Sequence, residues 1–134
     1  SGIHSNGFSL VRRVLTDEIR AKHNIAIDTL LTPTTIYVTQ ILDLIATHTI
    51  TGIAHITGGG LVENISRILP KGTSLDINYS AWERPSIFKT IQSIGQISDT
   101  EMYRVFNMGI GMVVITPETL PETPTLTHIG TIKI

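Results

Sequence analysis

The sequence predicts a domain of the α/β (α+β) class, a mixed β-sheet covered by helices in a sandwich-like arrangement, and three observations carry that prediction. Apolar residues at three- and four-residue spacing alternate along the chain with short β-branched runs, as when helices pack on a sheet. Aromatic residues are only 5% of the chain, so the core is built from branched aliphatics, which suit a pleated surface. The length, 134 residues, accommodates one domain able to bury a core, and neither an internal repeat nor a low-complexity linker divides it. The expectation is a single unit over residues 1–134.

Each element has its own justification. Phe8, Val11 and Leu15 recur at helical spacing after an Asn/Gly start and predict a short helix over 6–15. Val38, Ile41, Leu42 and Ile45 share one face of a helix predicted over 34–48, with Pro33 just ahead of its first turn. The segment 50–57 reads as a β-branched strand, which Gly58-Gly59-Gly60 breaks. Leu61, Val62, Ile65, Ile68 and Leu69 then take helical spacing until Pro70 and Gly72. Residues 73–78 make a second strand. Pro85 starts a helix carrying Ile87, Phe88, Ile91 and Ile94, which Gly95 closes. Residues 110–116 form the most apolar strand and 126–134 the last. Between these two, Pro117, Pro121 and Pro124 with Glu118 and Glu122 are loop chemistry.

Composition excludes several functions. Ten basic residues against eleven acidic ones give a net charge of -1, and only Arg12-Arg13 cluster, which argues against non-specific nucleic-acid binding. No run approaches the roughly 18 consecutive apolar residues of a membrane span, and with no charged n-region or apolar h-region behind Ser1 the expectation is that there is no signal peptide. The absence of cysteine removes disulfides, thiol nucleophiles and Cys-based zinc sites; a cytoplasmic location is the expectation. His4, His23, His48, His55 and His128 form no HExxH or carboxylate-rich pattern, which disfavours a metal site, and no GxSxG elbow supports Ser5, Ser9 or Ser66 as a nucleophile.

Three segments concentrate the remaining chemistry. In Ala54–Asn64, the triple glycine between strand and helix lets backbone approach a ligand, and the first helical N–H groups are unpaired; the spacing is neither a Walker A loop nor a dinucleotide fingerprint. Gly58, Gly59, Gly60 and Asn64 form either an anion cradle or a tight turn that lets helix and strand pack. In Ser1–Leu10, Ser5 and Asn6 are good helix caps, and His4 ahead of the helix start is able to donate to a phosphate or sugar oxygen. In Glu101–Met112, Gly109 and Gly111 mark a bulge or close backbone approach, and Asn107 is the polar residue most suited to a ligand. Glu63 and Arg67 read as an i,i+4 surface pair. His55, Glu63 and Glu101 are weighed as acid–base groups, but each has an ordinary structural explanation, so no catalytic residue is assigned.

These segments, Ser1–Arg12, Ala54–Pro70 and Glu101–Met112, resemble in order the signature segments of the phosphoribosylformylglycinamidine cyclo-ligase (aminoimidazole ribonucleotide synthetase) family, and Thr32–Val38 and Ser80–Pro85 fit as well. The resemblance implies ATP-dependent closure of formylglycinamidine ribonucleotide to an imidazole ring in purine biosynthesis, with release of ADP and phosphate. It further implies a C-terminal domain of that family, with ATP and Mg2+ held mostly by an N-terminal domain that also makes a homodimer. The expectation is that the isolated chain is monomeric and inactive by itself, with no nucleic-acid or membrane partner. Carried over by position, His4, Ser5, Asn6 and Gly7 are expected to bind the substrate's ribose phosphate. Gly58, Gly59, Gly60 and Asn64 are expected to shape an anion-binding or groove-lining turn, and Asn107 is expected to contact substrate.

The chain departs from the family pattern at Ser66, where proline is usual, in a short segment between Leu15 and Thr32, and in lacking a helix before the last strand. Other ATP-dependent enzymes of the same superfamily (formylglycinamidine synthetase, selenophosphate synthetase, thiamine-phosphate kinase) and a non-catalytic anion-binding module are the competing readings. His-Ile-Thr-Gly-Gly-Gly-Leu-Val-Glu-Asn (His55–Asn64) favours the cyclo-ligase.

Overall fold

Local sequence rules account for most elements of the computed structural model, which describes all residues, Ser1–Ile134. The helices are α1 (Phe8–Val14), α2 (Asp17–Lys22), α3 (Ile27–Leu30), α4 (Val38–Thr47), α5 (Gly60–Ser66), α6 (Ser86–Gly95) and α7 (Asp99–Val105). The strands are β1 (Gly52–His55), β2 (Ser74–Ile77), β3 (Met112–Ile115) and β4 (Gly130–Lys133). Every helix and strand expected from periodicity is present, each trimmed at its ends. Three further helices were not expected. The Thr16 hydroxyl caps α2 by accepting from the Ile19 N–H, and Ser98 caps α7 by accepting from the Glu101 N–H.

The α/β class holds, with one correction: the strands do not join into a single mixed sheet. β1 pairs with β3 and β2 with β4, both antiparallel, as two separate ladders. Ala54 opposes Val113 in the first and Leu75 opposes Ile132 in the second. Strands of four residues give neither ladder a long edge.

Two apolar clusters hold the elements together. The larger packs Leu10, Val11 and Val14 of α1 against Phe88 and Ile91 of α6, with Met102 and Phe106 at the end of α7. Phe88 and Phe106 meet edge-on at 5.7 Å. The smaller joins Ala54 and Val113 of the β1–β3 ladder, and Ile56 just after β1, to Leu61 and Ile65 of α5. Trp82 packs against both clusters, and its indole N–H donates to the Met108 carbonyl at 3.0 Å.

Helix α4 departs from the usual inward-facing pattern. Val38, Ile41, Leu42 and Ile45 do share one face, as expected, but Val38, Leu42 and Ile45 are 50–62% exposed, Ile41 is only half-buried, and no residue of the helix is fully buried. Polar ties anchor α4 instead: the Gln40 amide donates to Thr125 Oγ1 at 3.1 Å, and the Glu118 carboxylate accepts from the Thr49 N–H at 2.7 Å. The His48 ring lies 3.0 Å from the same carboxylate. No helix is long and apolar enough to cross a membrane.

Candidate functional site

The three polar segments picked out in the sequence meet at one place. The loop ahead of α1 carries His4 in the left-handed region, at φ 63°, and Gly7 at φ 75°. A side chain at Gly7 would overlap the Phe106 ring, so glycine is what lets the loop close onto the end of α7. The loop is tied down across the chain: the Asn107 amide donates to the Gly2 carbonyl at 2.9 Å, and the Ser1 amine donates to the Gly109 carbonyl at 3.0 Å. Asn107 Oδ1 accepts in turn from the Gly109 N–H.

The triple-glycine turn is held by a second asparagine. The Asn64 amide nitrogen donates to the carbonyls of Gly60 (2.8 Å), Gly58 (3.2 Å) and Thr57 (3.3 Å), while its oxygen accepts from the Thr57 hydroxyl at 3.0 Å. Gly60, at φ 64°, presses on the Tyr103 backbone oxygen, where a Cβ would overlap. These contacts dock α5 on α7. A Cβ added at Gly58 would stand 3.6 Å from the Asn6 side-chain oxygen, and the His4 and His55 rings are 6.0 Å apart. The Ile56 N–H donates to the Gly111 carbonyl at 2.9 Å, which joins the third segment to the second.

Each residue singled out in the sequence has a definite place here. His4, Asn64 and Asn107 are buried, and both asparagines commit their amides to backbone partners, so they shape the turns and leave no free amide for a ligand. Ser5 and His55 are exposed, and Asn6 and Gly7 are half-buried on the same side. Gly58 and Gly59 present backbone rather than side chains to that side. Glu63 lies against Gly59 and pairs with Arg67. An anion at the turn therefore shares its space with a carboxylate whose charge Arg67 offsets.

Burial, followed by the neighbouring His55 ring, holds the His4 pKa below the ordinary histidine value, against a smaller opposite effect of the Ile56 backbone. The buried ring is neutral at neutral pH. Beside the loop, a cavity of about 350 Å³ is lined by Ser1, Thr29, Thr32, Thr35 and Ser86 among others. Two groups that sequence reasoning missed are Ser1 and Tyr37: the phenol donates to the Ser1 hydroxyl at 2.6 Å, and that hydroxyl lies 2.7 Å from His4 Nε2. Their signal was the match of the Thr32–Val38 segment, which gave no role to the tyrosine.

Residues 1–126 match the family model of the AIR synthase related protein, C-terminal domain. The chain belongs to that family. Among curated relatives, it is 50% identical over 121 residues to a phosphoribosylformylglycinamidine cyclo-ligase of Trichlorobacter lovleyi, covering 84% of this chain and 35% of the relative. It is 52% identical over 126 residues to one of Geotalea daltonii, covering 88% and 36%. A chloroplastic protein of that name from Arabidopsis thaliana is 51% identical over 126 residues, covering 88% and 32%. The chain thus spans about a third of the length of the relatives it matches. The match to this C-terminal domain family takes in all three converging segments and stops short of β4.

Proposed function

We infer that this chain is the C-terminal domain of a cytoplasmic phosphoribosylformylglycinamidine cyclo-ligase, and that it supplies the substrate side of the groove for ATP-dependent ring closure in purine biosynthesis. The observation that carries this reading is the convergence of the loop Ser1–Gly7, the turn Thr57–Asn64 and the segment Phe106–Gly111 on one face, in a family whose similar relatives bear that activity in their names.

The reaction makes the formyl oxygen of formylglycinamidine ribonucleotide a leaving group, after which the amine attacks the same carbon and the ring closes. ATP provides the phosphoryl group for that activation. Mg2+ and ATP are held mostly by the N-terminal domain, and no step is routed through a metal on this chain. What these residues do is bind and orient. The Ser5 hydroxyl, the Asn6 amide and the backbone of Gly7 meet the ribose phosphate, with His4 behind them. Gly58, Gly59 and Gly60 form the opposite wall, held by Asn64, and Asn107 fixes the entering loop. A second, N-terminal domain carries the ATP contacts and the homodimer contact.

The test is substrate binding in the full-length protein. Asn6→Ala is expected to raise the Kd for formylglycinamidine ribonucleotide about tenfold, the worth of one hydrogen bond to a charged group. His4→Ala is expected to weaken binding also. Unchanged affinity in both variants would remove the phosphate-binding assignment, and ring closure by the 134-residue chain alone would overturn its placement as half of a composite site.

A further inference from the structure

Four polar groups crowd one oxygen beside His4. The Ser1 hydroxyl lies 2.6 Å from the Tyr37 phenol, 2.7 Å from His4 Nε2, 3.1 Å from Thr35 Oγ1 and 3.3 Å from the Thr35 backbone nitrogen. A hydroxyl offers one proton and two lone pairs, so it satisfies three of these four at once. The Thr35 N–H can only donate, and the phenol donates over the shortest distance; together they fill both lone pairs. The Ser1 proton then goes to the nearer remaining acceptor, His4 Nε2 rather than Thr35 Oγ1. Nε2 is therefore the acceptor nitrogen of a neutral imidazole, and the ring proton sits on Nδ1.

Nδ1 is the buried side-chain polar atom that has no hydrogen-bond partner, so the contacts that place the ring proton are those of Nε2. Space enforces the same arrangement: a Cβ at Gly111 would overlap the Tyr37 hydroxyl and stand 2.7 Å from His4 Cε1, so phenol, imidazole and bare glycine pack as a set. His4 meanwhile occupies the left-handed backbone region, where a non-glycine residue is strained and needs its surroundings to hold it.

We propose that Tyr37 is a positioning residue: acting through the Ser1 hydroxyl, it fixes His4 as the neutral Nδ1–H tautomer and holds the ring against the strand that leads into the triple-glycine turn. Its consequence for turnover rests on the function inferred above, whereas the tautomer does not.

Nitrogen-15 NMR of the chain with labelled histidine, at neutral pH, reads the tautomer directly. His4 is expected with Nδ1 protonated and Nε2 bare, both in the wild type and in Ser1→Thr, which keeps a hydroxyl. Tyr37→Phe and Ser1→Ala each remove one oxygen and are expected to move the proton toward Nε2. A proton on Nε2 in the wild type, or an unmoved tautomer in both variants, overturns the proposal. In the full-length protein, Tyr37→Phe is expected to raise the KM for formylglycinamidine ribonucleotide several-fold with kcat little changed, because it acts through His4, a binding group, and Ser1→Thr to keep the wild-type KM. A shifted tautomer with unaltered KM would overturn the positioning role. Absence of ring closure by the wild-type full-length protein would overturn the function instead and leave the tautomer result standing.

Discussion

Asn64 and Gly60 bear the geometry of the turn at the scale of single residues. Asn64→Ala strands three carbonyls and the Thr57 hydroxyl inside a half-buried turn, and is expected to lower stability by about 2 kcal/mol, read as a shift of the urea midpoint at constant slope. An unshifted midpoint would mean that water replaces the amide without cost. At Gly60 a methyl group meets the Tyr103 backbone oxygen, which cannot swing away as a side chain would. Gly60→Ala is therefore expected to cost about 3 kcal/mol through overpacking. Gly72, equally left-handed at φ 89° but with nothing within 4 Å, is expected to lose only about 1 kcal/mol on the same change. Comparable losses at the two glycines would show that backbone strain, and not the docking of α5 on α7, sets the requirement at Gly60. The importance of Asn107 was legible in the sequence but its role was not, because the Gly2 and Ile3 carbonyls it holds lie more than a hundred residues away.

Among the elements, the loop after β3 is pinned to the end of α4 by one carboxylate. The Thr49 hydroxyl and backbone N–H, and then the His48 ring, hold the Glu118 pKa down to about 2, from an ordinary value of 4.5. A carboxyl depressed in the folded state binds its proton more readily once unfolded. The stability it adds is therefore complete above about pH 4.5 and is lost as pH falls toward 2. Glu118→Gln is expected to flatten that acid limb and to speed amide exchange at Thr49; parallel acid limbs for the two proteins would rule the clasp out. Helices α1, α4, α5 and α6 were legible because their apolar residues repeat at helical spacing. Helix α2 packs only Ile19 against the larger cluster and so leaves no stripe to read, and α3 is a single turn. For α7 the signal was present in Ser98-Asp99-Thr100-Glu101, a capping-box spacing, but the segment was weighed for its chemistry. The division into two ladders was not legible, since a four-residue strand does not encode its partner.

For the whole molecule, the two apolar clusters and the outward stripe of α4 set where substitutions matter. Leu42→Glu on that stripe is expected to change stability by no more than about 0.5 kcal/mol, whereas Phe106→Ala in the larger cluster is expected to cost about 4 kcal/mol. A large loss at Leu42 would show that α4 packs inward in solution. The span of the Asn107 contacts has a kinetic consequence as well. Closing a loop of about 105 residues costs about 4 kcal/mol of chain entropy before any contact in the site repays it. Local helical turns form without that closure, but the junction of Gly2, Ile3 and Asn107 does not. The surface around that junction is therefore a late product of folding, and a molecule that bound there would stabilise only the finished chain, drawing partly folded molecules toward completion by mass action.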